Sequence, residues 1–570
     1  DAFAEFIDYL KYYLDEAEQE TEVQAQLANI RKEYAALKPE EIRVIDPCMG
    51  SGHILCVLFD VLVRIYEDYG YTAREAAVKI VENNLWGLDI DERAAQLSYF
   101  AVMMKARQYD RRFFTRKVQP HVYAIEESNG ITSVPMHDMG LNLSQEEYGE
   151  AVKQTRRLVE EMHDAKEYGS IIHVTPCDWD LLRRFAVPRE EEGQLHLDIH
   201  GEIEASARLQ RLINIGETLA QKYHTVVTNP PYMGGSGMSG KLVDFVKSNY
   251  PDSKNDLFSV FIDHGFEMLR SNGYESMITM ESWMFLTGFE TLRTRILQTK
   301  SICSLVHMPY LGKGGTSLGI NFGTDMAVIR NSNVRGYTGV YDRISYYETD
   351  DEGIPFEFPV RNEFYKKTPQ TQFFMIPSSP IAYWVSNAVF DSYKAPSLSS
   401  YGRPCKGIDT GDNSIFLRMW FEVENGKMSY PKREPLYDAD IQKYKWFPYN
   451  KGGDYRRWYG NNDYVLNWEN NGAQLRAFRK SNLRNKDCYL KKGITWSTVT
   501  SAQSSMRLFD YGYFFDNGGS CLYANEHLLY ILGFLNSNVV KNYLGISPTL
   551  NTQPGDIGRL PFSFSKEKEP

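Results

Sequence analysis

From Ile42 onward the sequence alternates short apolar runs with amphipathic stretches, and few folds accommodate that rhythm. "IRVIDP" is a brief β-branched run closed by turn residues, and "HILCVLFDVLVRIYEDY" spaces its apolar residues as a helix does. "NNLWGLDID" reads as a second strand, "ERAAQLSYFAVMMKARQY" as a second helix and "PHVYAIE" as a third strand. A parallel neighbour can be reached only through a crossover, so strands alternating with helices predict a parallel, helix-covered sheet. Polar, helix-prone stretches at 140–168 and 188–222 read as insertions. Beyond them the sheet pattern resumes with "HTVVTNPPY", "YESMITM", "SICSLVHM" and "DMAVIR".

The chain has 570 residues, too many for one hydrophobic core, so two or three domains are expected. Residues 1–40 are acidic, rich in Gln and free of Gly, and read as a helical segment ending a longer amino-terminal region. The α/β unit is expected over 41–335. After that the composition shifts to Tyr, Trp, Asn and Gly with short strand-like runs, and only "NEHLLYILGFLNSNVVKNYL" has a helical pattern. A connecting passage over 336–380 and a mixed α+β domain over 381–570 are therefore expected. No apolar run approaches the roughly 20 residues of a membrane span, and no signal peptide opens the chain. Seven scattered cysteines without a C-x-x-C pair argue against a disulfide framework and against a zinc site. A soluble, cytoplasmic protein of a reducing compartment, with no membrane partner and no metal, is the expectation.

A net charge of −11 disfavours a polyanion partner until its distribution is considered. Residues 1–100 hold 20 acidic against 9 basic side chains, whereas residues 401–500 hold 18 basic against 11 acidic. An acidic front and a basic back permit nucleic-acid binding by the second half.

Candidate site residues fall at predicted strand ends, where open α/β sheets bind ligands. "VIDPCMGSGHIL" runs a strand into Asp46-Pro47, then Gly50-Ser51-Gly52, then a helix whose amino end offers free N–H donors. By itself such a turn is equally an ordinary tight connection, and it lacks the P-loop and dinucleotide patterns. "GLDID" places Asp89 and Asp91 at the second strand's end. One is expected to accept ribose hydroxyls and the other, Asp91, to cap a helix. In "VTPCDWDLL", Asp178 is read as closing another strand with Trp179 beside it, the alternative being a structural role for both. "VVTNPPY" then stops a buried strand at Asn229-Pro230-Pro231-Tyr232. The prolines cannot donate to a ladder, so an amide and its neighbouring carbonyls are fixed at the strand end.

The order DPxxGSG, strand-end acid, strand-end Asp, NPPY resembles the amino-methyltransferases that use S-adenosylmethionine. With motif I ahead of motif IV and a carboxyl-terminal domain behind, it is similar to the gamma class of DNA adenine-N6 methyltransferases. The stretches "RVIDPCMGSGHIL", "ENNLWGLDIDERAAQLSYFAVMMKARQYDRR" and "VVTNPPYMGGSGM" resemble the adenine methyltransferases of BREX phage-defence systems. The resemblance extends over nearly the whole chain. It implies a Rossmann-like methyltransferase domain followed by a target-recognition domain. Asp46, Pro47, Gly50 and Gly52 would line the methionine end of the cofactor. Asp89 would hold the ribose, Ile90 would lie against the adenine, and Asp178 with Trp179 would take the adenine's amino edge. Asn229 Oδ1 and the Pro230 carbonyl would accept hydrogen bonds from the target amine, with Pro231 holding the turn. Tyr232 would stack on a flipped base. Phe322 in "GINFGTDMAVI" is the candidate for a second aromatic wall, the alternative being a core residue. Family members carry a further segment ahead of motif I that helps cover the methionine, and the 45 residues before Asp46 contain no recognisable counterpart. Double-stranded DNA, other BREX components and an acidic phage DNA mimic are the implied partners.

The basic back half fits target recognition. "YKWFPYNKGGDYRRWYG" and "RAFRKSNLRNKDCYLKKGITWS" interleave Lys and Arg with Trp, Tyr and Asn, and Arg456, Arg457, Lys491 and Lys492 are the candidate DNA contacts. A solvated basic face is the bland alternative. Two other functions compete: methylation of a protein glutamine, since NPPY suits any planar NH₂, and a DNA-binding subunit of a defence complex active only with partners. The roughly 240 residues beyond the sheet, basic and aromatic, weigh against the first.

Overall fold

A computed structural model describes residues 10–129, 139–140, 142–187, 202–310, 322–499, 504–546 and 551–564. The chain divides into two compact units, residues 1–373 and 374–570. The first unit is built on a nine-stranded sheet. Its strands are β1 (Val44–Asp46), β2 (Leu85–Asp89), β3 (His121–Ala124), β4 (Tyr223–Thr228), β5 (Leu269–Met280), β6 (Ser301–Met308), β7 (Thr324–Arg330), β8 (Thr338–Arg343) and β9 (Lys366–Pro369). They lie in the order 3-2-1-4-5-7-6-8-9. β1 runs parallel to β2 and to β4, and β5 runs parallel to β4. β7 is inserted antiparallel between β5 and β6. The chain moves one way from β1 to β2 and β3 and returns on the other side at β4. That reversal opens a crevice at the carboxyl ends of β1, β2 and β4.

The expected strands of the α/β unit are present except the one read as ending at Asp178. Helix His53–Asp68 buries Leu55, Phe59, Leu62, Val63 and Tyr66 against the sheet, and helix Glu92–Tyr109 buries Val102 and Ala106 beside them. A further helix, Ala73–Asn83, lies between β1 and β2. The Thr72 hydroxyl and Glu75 carboxylate cap it reciprocally, and Ala76, Ala77 and Ile80 face the same core.

Two boundaries differ from the sequence reading. Residues 336–380 are not a connector: β8 pairs parallel with β6, and β9 pairs antiparallel with β8, so this passage extends the nine-stranded sheet to residue 369. The signal was hidden because both strands are short and β9, "KKTP", is polar at an edge. Of the amino-terminal segment, Thr21–Ala35 is helical. Val23 and Leu27 pack on Val334 and Tyr337, and the Tyr34 hydroxyl donates to the Asn272 carbonyl at 2.6 Å. Residues 1–9, and 188–201 of the expected second insertion, lie outside the described residues. The insertions carry helices Gln145–Glu161 and Glu202–Ala220.

The second unit holds two four-stranded sheets. One contains β10 (Arg403–Cys405), β17 (Cys521–Tyr523), β14 (Gly493–Trp496) and β15 (Met506–Phe509); the other contains β11 (Leu417–Met419), β13 (Tyr464–Asn467), β12 (Trp446–Asn450) and β16 (Phe514–Phe515). The single helix expected at 525–544 is two, Leu528–Leu535 and Asn538–Leu544. Ser537 caps the second by accepting from the Val540 N–H at 3.3 Å. Asn536 is drawn inward, its amide bonding both the N–H and the carbonyl of Met506 at 3.1 Å.

Candidate active site

β1 ends on Asp46, whose side chain is fully buried. Its Oδ1 accepts from the Thr228 hydroxyl at 2.6 Å and from the Cys48 backbone N–H at 3.1 Å. Thr228 is the last residue of β4, so this bond ties the two central strand ends together immediately before Asn229. Oδ2 has no partner among the described residues. Burial pushes the Asp46 carboxyl up to about 7, against the lowering effect of its two hydrogen bonds.

The turn after β1 depends on glycine. Gly50 and Gly52 have φ of +52° and +81°, and a Cβ on Gly52 would lie 2.5 Å from Ser98 Oγ in the neighbouring helix. Helix His53–Asp68 begins there without a side-chain cap, leaving first-turn amides for a ligand. The two acids after β2 divide as expected in one respect. Asp91 caps its helix, accepting from the Arg93 N–H at 2.8 Å. Asp89 faces the glycine turn, Oδ2 accepting from the Gly50 N–H at 2.9 Å and Oδ1 from the Asp91 N–H at 2.8 Å. Each oxygen keeps a lone pair for a further donor. Ile90 between them is 51% exposed, a bare aliphatic surface beside the turn.

Asp178 does not close a strand. Residues 172–178 form no strand, and the carboxylate accepts from the Leu181 N–H at 3.0 Å as the amino-terminal cap of helix Trp179–Phe185. Trp179 packs within the insertion, its ring 3.4 Å from where a Cβ on Gly216 would lie. Local competition from the cap decided this, so the adenine-edge role given to Asp178 and Trp179 loses its structural basis. The segment beside Ile90 is instead Gly169–Ile171. Gly169, with φ of +66°, stands so that a Cβ would be 3.6 Å from Ile90 Cδ1, and the Ser170 hydroxyl donates to the Pro47 carbonyl at 2.6 Å. The only sequence signal for this segment was a Gly-Ser pair after a charged helical stretch.

At the end of β4, Asn229 and Pro231 are exposed while Pro230 is buried. The Tyr232 hydroxyl lies 2.9 Å from Asn229 Oδ1 and 3.0 Å from the Ile278 carbonyl; its one proton serves either. Burial, with Asp325 nearby, pushes this phenol up to about 12, so it stays neutral. Phe322 stands edge-on to Tyr232, with ring centroids 5.4 Å apart and planes at 70°. The neighbouring Gly323 carbonyl accepts from the Glu281 N–H at 2.9 Å, and the Glu281 carboxylate bonds His307 Nε2 at 2.7 Å beneath it. After Tyr232 the chain is pinned again: the Met233 N–H donates to Asp256 Oδ1 at 2.9 Å, and the Leu257 N–H to the Met233 carbonyl at 3.0 Å. Thr228, Glu281, His307 and Asp256 were not singled out in the sequence, since each acts through a partner remote along the chain.

In the second unit, Arg456, Arg457 and Lys491 are exposed, whereas Lys492 is half-buried and paired with Asp510 at 3.1 Å. Tyr455, Trp458 and Tyr459 share the arginine loop and are also exposed. Trp458 pairs with β15, its N–H donating to the Met506 carbonyl. Met506 pairs with Trp496 and Phe509 with Gly493, so Lys492 lies just beyond the Gly493 end of the β14–β15 ladder.

The sheet order, the glycine turn at β1 and the Asn-Pro-Pro-Tyr at β4 are those of a methyltransferase domain. Residues 83–312 match the family model described as Eco57I restriction-modification methylase. Over 97% of its length the chain is 40% identical to the adenine-specific methyltransferase BrxX of Escherichia coli O9:H4 (strain HS), and 35% identical to the adenine-specific methyltransferase PglX of Lacticaseibacillus casei (strain Zhang). It spans 46% of each relative. Among solved structures, a nuclease-deletion mutant of the Type ISP restriction-modification enzyme LlaGI with a DNA substrate mimic is similar at a TM-score of 0.46 and 10% identity, covering 96% of this chain and 45% of that one. Among the described residues no helix is long and apolar enough to cross a membrane.

Proposed function

We propose that this chain transfers a methyl group from S-adenosylmethionine to the exocyclic N6 of adenine in double-stranded DNA, marking host DNA within a BREX phage-defence system. The observation that carries the reading is the Thr228–Asp46 bond, which sets Asn229 beside the crevice that fits the cofactor. The fit rests on three features: a left-handed glycine turn where a side chain would strike Ser98, the unpartnered buried Oδ2 of Asp46, and the exposed Ile90 next to Asp89. Asp46, Pro47, Gly50 and Gly52 would hold the methionine end, Asp89 the ribose, and Ile90 with Gly169 the adenine ring. When bound, the cofactor supplies a methyl already activated on a sulfonium, so the protein's task is positioning.

The target amine is a weak nucleophile because its lone pair is delocalised into the purine. Asn229 Oδ1 and the Pro230 carbonyl accept from its two hydrogens, drawing the nitrogen towards tetrahedral geometry and stabilising the charge that develops. In this structure the Tyr232 hydroxyl occupies Oδ1; it can turn its proton to the Ile278 carbonyl and free that acceptor. Tyr232 and Phe322 would flank the flipped base, one by its face and one by its edge. Arg456, Arg457 and Lys491 would neutralise phosphates, and the same surface would attract an acidic phage mimic of DNA.

Replacing Asn229 by Ala should lower methyl transfer on the order of 10²–10³-fold while leaving folding and S-adenosylhomocysteine binding intact. Methylation-sensitive sequencing of DNA incubated with each protein, beside calorimetric titration of the cofactor product, measures both. Activity within a few-fold of wild type would remove Asn229 from the reaction.

A further inference from the structure

Donors from three elements converge behind the Gly169–Ile171 segment. His264 and Glu267 lie one turn apart on helix Leu257–Met268, His173 follows Ile171, and Tyr250 closes helix Gly240–Asn249. His173 Nε2 and His264 Nδ1 each stand 3.4 Å from Glu267 Oε2, and the three ligand atoms all lie within 4.8 Å of one another. The Tyr250 hydroxyl is 3.1 Å from His173 Nε2 and 2.9 Å from His264 Nδ1. It is also 2.7 Å from the Ile171 carbonyl. That carbonyl can only accept, so the phenol donates to it and turns its oxygen lone pairs towards both imidazoles.

Two imidazoles and a carboxylate form a donor set suited to borderline transition-metal dications, zinc above all. In a tetrahedral site with bonds of about 2.0–2.1 Å, neighbouring ligand atoms stand about 3.3 Å apart, close to the two separations from Glu267. The cysteine pattern, which argued against a zinc site, has no bearing here, because the cluster contains no cysteine.

We propose that His173, His264 and Glu267 bind a divalent transition metal, with the Tyr250 oxygen or water completing its coordination. The ion clamps the segment that touches Ile90 and Pro47 to the helix whose amino-terminal cap, Asp256, holds the chain after Tyr232. It is a structural link between the cofactor wall and the catalytic loop. Solvent reaches it through His173 and Glu267, each about half exposed.

The test uses the full chain, stripped by chelator and titrated with Co²⁺, then with Zn²⁺. One equivalent of Co²⁺ should bind with the visible absorption of a four-coordinate site, without a sulfur-to-cobalt charge-transfer band, and Zn²⁺ should displace it. His173→Ala and Glu267→Gln should each weaken binding about tenfold or more. Metal should raise the thermal midpoint of wild type but not of His173→Ala, a substitution at an accessible side chain that circular dichroism can confirm as folded. Absence of stoichiometric binding, unchanged affinity in both variants, or a thiolate band would overturn the site; equal midpoint shifts would overturn the clamp. These readouts need neither cofactor nor DNA, so they stand apart from the methyl-transfer reading.

Discussion

Asp46 shows what a single residue gains from its neighbours. Its position after an apolar run marked it as a ligand, but its protonation is set by burial, with one oxygen served by Thr228 and Cys48 and the other by none of the described residues. A carboxyl raised to about 7 is largely protonated below neutrality and ionised above it. If S-adenosylhomocysteine binds with its α-ammonium at Asp46, the carboxylate is the favoured form, so affinity should rise with pH through about 7 and level off beyond. The same shift has a sign for folding. An acid raised in the folded state opposes folding increasingly as pH climbs from its unfolded value of 3.8 to about 7. Calorimetric titration across that window with wild type and Asp46→Asn checks the ligand effect. A profile equally steep in the variant would assign the titration to another group.

At the scale of elements, the turn from β1 into helix His53–Asp68 and the start of β7 carry the site. Gly52 is constrained twice, by φ of +81° and by Ser98 2.5 Å from any added Cβ. Gly52→Ala should therefore displace the turn and weaken S-adenosylhomocysteine binding by tenfold or more, at a stability cost on the order of 1–3 kcal/mol. Gly50→Ala meets the left-handed strain without the clash and should cost less. Equal affinities of wild type and Gly52→Ala by titration would show that the turn does not touch the cofactor. Phe322 reaches Tyr232 because Gly323 rests on Glu281, which His307 holds from β6. Three separate strands thus set one aromatic pair.

For the whole molecule, the charge asymmetry matters more than the net −11. The second unit presents Arg456 and Arg457 with exposed Tyr455, Trp458 and Tyr459 on one loop. If that loop contacts phosphates, duplex affinity should fall with salt at a log–log slope of about −0.9 per phosphate neutralised. Replacing both arginines by Ala should flatten the slope by about two such units. Lys492 should contribute less than Lys491, since Asp510 already opposes its charge. Fluorescence anisotropy at several salt concentrations measures this, and an unchanged slope in the double variant would place the DNA elsewhere.

Sequence by itself determined the alternating architecture, the glycine turn, the Asn-Pro-Pro-Tyr strand end and the capping role of Asp91. Each is a local matter of periodicity, φ requirement or a missing donor, written in neighbouring residues. Only the tertiary structure decided that β8 and β9 join the sheet, that Gly169 and Ser170 meet Ile90 and Pro47, and that Thr228 reaches Asp46. Those outcomes depend on residues far apart in the chain, where hydrogen bonds and burial are settled by packing. A capping carboxylate and a ligand-binding one look alike until their neighbours are in place.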